Sequence, residues 1–386
     1  MNDNTRDILQ LTLLGRHYNF NLGGNLQAFA LYYTLKTLNG NCSVIDYLPN
    51  YLHDFSTTVK NILKNRGLLY LFRTGVNFGL NNIKGFFWHE RKRRKMFVHF
   101  RKNIQFSEKT FFRFKELEER FSNSEDIFIV GSDLVWLPQS SLEVLRVYLL
   151  SFVKNGLKAS YAASVGRPIP HSLKPIYAEN LKEFDFISVR EESSRKYLQE
   201  ILPNLEIEVV LDPTALLSRD EWLEVAKKPS ETPQRPYILV YDLYRSEEIL
   251  PPTLRFAKKN QLNVITFSYS LIRKITHPKI SSFYFSGPSE FLWLLSNAEV
   301  VVTSSFHGAV LATIFQKPFV AINPEPFAPA SRILDFLNLV GCEDRFLDHP
   351  KDIEEISMEI DWKTINRNLE KQKRHSMDYL KKVVNG

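Results

Sequence analysis

Val300-Val301-Val302-Thr303-Ser304-Ser305-Phe306-His307-Gly308-Ala309 decides how the rest of this chain is read. Three β-branched residues make a buried strand, small hydroxyl residues lead out of it, and a helical pattern follows from Ala309 to Phe315. In open α/β sheets, ligands bind beyond the carboxyl ends of such strands. The helix start offers backbone N–H groups and a positive dipole end, both suited to phosphate or carboxylate. His307 stands at that point, able to donate a proton or pair with an anion near neutral pH. The alternative is a histidine that only caps its own loop.

Outward from this stretch the same alternation repeats. Ile8–Leu13 and Cys42–Tyr47 read as strands, with a helix between them opened by Asn25. Further strands are expected at Ile127–Val130, Ala159–Ala162, Phe186–Val189, Ile207–Leu211, Tyr237–Tyr241 and Val264–Phe267. The class is therefore α/β with mainly parallel sheets. Three prolines within 228–236 and no apolar face mark a linker. The stretch 351–386 reads as a charged helical tail. Two α/β halves, 1–227 and 237–350, would face a cleft, a usual place for a ligand.

The chain has 386 residues, 44% hydrophobic and 24% charged, which excludes a disordered or fibrous class. Its net charge of +7 is modest for a nucleic-acid binder, and no nucleic-acid signature accompanies it. Two cysteines, Cys42 and Cys342, form neither a disulfide framework nor a metal set. With no signal-peptide pattern at the start and no spanning segment, a cytoplasmic protein is expected. The segment 61–103 stands apart: Phe86, Phe87 and Trp88 precede Arg91-Lys92-Arg93-Arg94-Lys95, with Phe97, Phe100, Arg101 and Lys102 after it. It is either a solvated basic helix face or a patch that meets anionic lipid or a lipid-linked diphosphate.

Other residues could carry chemistry. Arg190 ends a strand, where burial calls for an anionic partner, either Glu191 or Glu192 or a bound anion. Arg332 precedes an apolar helix and reads as a first-turn surface arginine or an anion clamp. Asp133 follows Gly131-Ser132 as a base or a helix cap. Asp212-Pro213-Thr214 reads mainly as a turn. The loop Gly15–Asn25 is neither a dinucleotide fingerprint nor a Walker loop. Its His17 and Asn19, with Gly24, Asn25 and Gln27, are candidates for sugar contacts. No cluster has metal-ligand spacing.

Together these pieces resemble the polysaccharide pyruvyl transferase family. The matching elements, in order, are Gly24-Asn25-Leu26-Gln27-Ala28, Ile45-Asp46-Tyr47, Val130–Trp136, Ser160–Ser164, Ser188-Val189-Arg190-Glu191, Asp212-Pro213-Thr214 and Thr303–Gly308. The resemblance implies two Rossmann-like domains of GT-B-like architecture, with the acceptor on the 1–227 side and the donor on the 237–350 side. It implies transfer of the enolpyruvyl group of phosphoenolpyruvate onto two hydroxyls of one sugar, giving a pyruvate ketal. No metal or cofactor is expected beside this co-substrate, and the acceptor would be a lipid-diphosphate-linked saccharide of a capsule or exopolysaccharide. Donor roles carry onto Arg190, Phe306 and His307, with Ser305 and Gly308 beside them. Some members have a lysine about twenty residues after the histidine; Phe327 stands there in this chain, so Arg332 becomes the candidate third cation. Two rival functions remain: a sugar-nucleotide glycosyltransferase on the same architecture, and a non-catalytic saccharide-binding assembly protein.

Overall fold

The computed structural model describes residues 6–13, 21–49, 91–138, 141–243, 246–267, 280–283, 286–325 and 330–386. They divide into two compact units, Met1–Ile187 with Gln199–Glu206, and Ser188–Leu198 with Ile207–Gly386. The proline-rich stretch 228–236 lies inside the second unit.

The first unit is built on β1 (Ile8–Leu11), β2 (Cys42–Val44), β3 (Ile127–Val130) and β4 (Leu157–Ser160), parallel and in the order β2-β1-β3-β4. Every residue of β1 and β3 is buried, as the continuous apolar runs require of strands covered on both faces. Helix α1 (Leu22–Asn39) follows β1 and buries most of its length. It begins at Leu22 rather than Asn25: the Asn21 side chain accepts from the Gly24 N–H and is the cap. Gly131, just past β3, has φ 144°, and a Cβ there would stand 2.0 Å from the Tyr161 carbonyl oxygen. Glycine is the residue that fits that approach.

The second unit begins with a short parallel pair, β5 (Ser188–Val189) and β6 (Glu208–Val209). Helix α2 (Glu192–Gln199) lies between them in sequence. A six-stranded sheet follows, made of β7 (Tyr237–Tyr241), β8 (Asn263–Thr266), β9 (Ser281–Ser282), β10 (Val300–Thr303), β11 (Phe319–Ile322) and β12 (Phe346–Leu347). All its pairs are parallel, in the order β12-β11-β10-β7-β8-β9. Read from β9, this is the doubly wound order whose direction reverses between β7 and β10. Ile238, Val240, Val300, Val302, Val320 and Ile322 of its central strands share one apolar cluster, each burial stabilising by about 1.5–3 kcal/mol. Helices α3 (Phe306–Ile314), α4 (Ser331–Val340) and α5 (Trp362–Asn385) complete the parts that bear on the site.

Candidate functional site

The reversal point of the second sheet is fastened by hydroxyls. Thr303 Oγ1 donates to the Tyr241 carbonyl at 2.6 Å and accepts from the Ser305 N–H at 3.0 Å. Ser304 Oγ donates to Asp242 and accepts from the Leu243 N–H at 3.1 Å. The ends of β10 and β7 are thereby tied, and α3 starts from a fixed point. Ser305 is the helix N-cap residue, without a side-chain cap bond. Gly308 packs on the same threonine: a Cβ there would lie 2.3 Å from Thr303 Oγ1. Phe306 and His307 are the first two residues of α3.

Arg190, immediately after β5, has only 3% of its side chain exposed. Its Nε donates to Glu191 Oε2 at 3.2 Å and its Nη1 to Asp212 Oδ2 at 3.1 Å. Glu191 in turn accepts from the Ser194 hydroxyl. Asp212 Oδ1 accepts from the Thr214 hydroxyl at 2.6 Å and its N–H at 3.0 Å. The turn reading of Asp212-Pro213-Thr214 holds, and the same carboxylate also joins the charged cluster. Beneath the arginine, the guanidinium carbon lies 4.8 Å from the centre of the Phe306 ring, a cation–π contact of about 0.5–2 kcal/mol.

His307 Nε2 is 3.7 Å from Asp212 Oδ2, beyond hydrogen-bonding reach but close enough for charge attraction. That nitrogen is buried and has no hydrogen-bond partner among the described residues. Burial by itself would push the Asp212 carboxyl upward. The facing charges of His307 and Arg190, with the Thr214 hydroxyl, outweigh burial and hold it well below the usual carboxylate range.

A cavity of about 470 Å³ opens beside this cluster. The chain around β5 and β6 gives it Arg190 and Asp212, α3 gives Phe306, α4 gives Arg332 and Asp335, and α5 gives Gln372. Two arginines thus face the carboxylates of Glu191, Glu192, Asp212 and Asp335. Burial raises the Asp335 carboxyl, and the nearby charges of Glu191 and Glu192 raise it further against the pull of Lys196. The tail belongs to this structure: Ser376 Oγ of α5 accepts from the Leu211 N–H at 2.9 Å. Of the donor residues expected from sequence, Arg190, Phe306 and Arg332 share the cavity wall. His307 stands beside Asp212, and Ser305 and Gly308 support α3. Sequence reasoning passed over Asp335 and Gln372, which carry no local motif. Asp212 did carry a signal, since a buried acid at a strand end calls for a cation just as Arg190 calls for an anion.

In the first unit, Asp133 follows β3 at the corresponding reversal between β1 and β3. Its backbone is left-handed, φ 69°, and no helix follows it to be capped. Gln27 is fully buried: its Nε2 donates to Thr12 Oγ1 and the Gly24 carbonyl, and its Oε1 accepts from the Ser132 N–H. Asn25 accepts from Arg101 Nε at 2.8 Å and donates to the Asn21 carbonyl at 2.7 Å. Gln27 thus ties the chain just past the two central strands β1 and β3, and Asn25 holds a buried arginine that desolvation pushes down to about 10. Gly24, Asn25 and Gln27 are all buried. His17, Asn19, Phe327 and the aromatic lead Phe86, Phe87 and Trp88 lie outside the described residues.

The basic run is helical over 91–100 and two-faced. Arg91, Lys92, Arg94 and Lys95 are exposed, whereas Arg93 is buried with its guanidinium 5.4 Å from the Phe97 ring centre. Among the described residues no helix is long and apolar enough to cross a membrane, and no group of His, Cys, Asp or Glu is placed to hold a metal ion.

Two units with parallel, doubly wound sheets define a protein of the Rossmann-like, GT-B-like α/β class. A glycosyltransferase from Rickettsia africae is similar at 15% identity, covering 98% of this chain and 99% of that one with a TM-score of 0.50. A UDP-N-acetylglucosamine 2-epimerase from Rickettsia bellii is similar at 10% identity, covering 97% of each chain with a TM-score of 0.52. At such identities the likeness speaks for the fold alone. The sequence profile of the polysaccharide pyruvyl transferase family matches residues 21–326, and the chain belongs to that family. No curated protein matches it.

Proposed function

We propose that this chain transfers the enolpyruvyl group of phosphoenolpyruvate onto two hydroxyls of one sugar in a lipid-linked saccharide, forming a pyruvate ketal during capsule or exopolysaccharide synthesis. The observation that supports this reading is the common wall that Arg190, Phe306 and Arg332 make in one cavity of a pyruvyl transferase family member. Phosphoenolpyruvate carries a carboxylate and a phosphate, and planar guanidinium groups donate to both in pairs. Arg190 and Arg332 are assigned jointly to hold the carboxylate and the phosphate of the donor.

In the reaction, a proton added to the donor's methylene carbon makes a methyl group and leaves the central carbon electron-poor. The first sugar hydroxyl adds there and gives up its proton. The second hydroxyl then closes the ring as the carbon–oxygen bond to phosphate breaks, and its proton leaves with the phosphate. His307 is the proposed acid or phosphate contact, and Asp133 the proposed base. The site of action is proposed to be cytoplasmic, with the exposed basic face of 91–102 meeting anionic lipid.

Phosphate release from phosphoenolpyruvate over a panel of lipid-linked and aryl glycosides tests this. Acceptor-dependent release with a product heavier by about 70 Da is expected. Arg190→Ala and His307→Ala should each lower the rate by about a hundredfold or more. Binding of a sugar nucleotide in place of phosphoenolpyruvate would turn the reading into a glycosyltransferase.

A further inference from the structure

The cavity has two origins. Arg190, Glu191, Glu192, Asp212 and Phe306 fall within the family match at 21–326, whereas Arg332, Asp335 and Gln372 come after it. The later wall places one further carboxylate, Asp335, in a cavity that already holds three. Two arginines against four carboxylates is a poor environment for a multiply charged anion. The imbalance is smallest to correct at Asp335. Glu191 is buried between Arg190 and Ser194, and Asp212 is fixed by Arg190 and Thr214. Asp335 is exposed and lies one helical turn after Arg332.

We propose that Asp335 is a charge-selecting residue of this cavity, admitting the anionic donor together with a proton on its own carboxyl. The inference rests on the donor reading given above. The charged groups around it agree with this role. From α2 and the residue before it, Glu192 and Glu191 disfavour its ionised form, and Lys196 favours it. On its own helix Arg332 lines the same cavity, and α5 brings the neutral Gln372. Further off are the buried Arg190–Asp212 pair and, on α3, His307. The turn after α4 carries Glu343, Asp344 and Arg345, the last two paired with each other. Ionised, Asp335 repels the donor; protonated, it is a neutral hydrogen-bond donor beside Arg332. Coupling of this kind is reciprocal, so donor binding takes up the proton and low pH tightens binding.

The test is calorimetric titration of phosphoenolpyruvate into wild type, Asp335→Asn and Asp335→Glu between pH of about 8 and about 4.5. The readout is the ratio of wild-type to Asp335→Asn dissociation constants at each pH, which cancels the titration of the ligand. Asp335→Asn should bind about fivefold tighter or more at the alkaline end, with the ratio falling toward one as pH is lowered. Asp335→Glu should keep the wild-type slope. A ratio that stays flat while both proteins bind overturns the role of Asp335 and leaves the donor reading standing. No binding by any of the three proteins at any pH overturns the donor reading and this inference with it.

Discussion

Asp212 is the residue on which the charged cluster depends. It meets Arg190 at 3.1 Å and His307 at 3.7 Å from one oxygen while Thr214 holds the other. Its carboxyl is held below its ordinary value of 3.8, so the folded protein keeps it ionised where the unfolded chain has taken up a proton. Its stabilisation is present in full above about pH 5 and is lost as pH falls below the unfolded value toward the folded one. Asp212→Asn should cost about 3 kcal/mol at neutral pH by leaving a buried guanidinium short of a charge, and it should flatten the acid limb of the stability curve. Urea unfolding at several pH values measures both, and an unchanged midpoint at pH 7 would count against the cluster as drawn. The pieces of this cluster were readable one at a time. Arg190 at a strand end asked for an anion, and its neighbour Glu191 was named as one. The second partner lies 22 positions away, and only the pairing of β5 with β6 brings it near.

At the scale of elements, α5 does more than end the chain. Ser376 satisfies the buried N–H of Leu211, and Gln372, a turn earlier, lines the cavity. Ser376→Ala should cost about 1–3 kcal/mol because that N–H loses its partner without reaching water, as denaturant titration would show. The helix over 91–100 divides its charges differently. Replacing Arg91, Lys92, Arg94 and Lys95 by Gln should weaken binding to anionic vesicles by about a thousandfold at roughly 1 kcal/mol for each charge. Vesicle binding that survives the change would remove the membrane contact from the proposed function. Arg93 is set against Phe97, so Arg93→Ala should disturb packing more than lipid binding.

For the whole molecule, apolar runs and helical spacing made the parallel α/β plan legible, because burial on both faces leaves a strand little choice but continuous Val, Ile and Leu. Strand order was not legible: nothing in Tyr237–Tyr241 says that it will sit between β8 and β10. Phe319–Ile322 was not among the expected strands, and the two-residue β9 and β12 are too short to carry a period. The candidate site divided in the same way. His307 and Arg190 stood at strand ends and were visible, while Asp335 and Gln372 sit on helical surfaces whose patterns look solvated until another element covers them. Asn25 was misassigned as the helix opener because Asn21, the actual cap, stood inside a glycine-bearing loop.

The bond from Leu211 to Ser376 also sets an order of events during synthesis. The two partners are 165 residues apart, and chains fold from the amino end as they emerge. When all the strands of the six-stranded sheet have already left the ribosome, the Leu211 N–H is still waiting for its acceptor, and the cavity still lacks the side chain of Gln372. A nascent chain therefore holds a sheet without a finished pocket until α5 has been made.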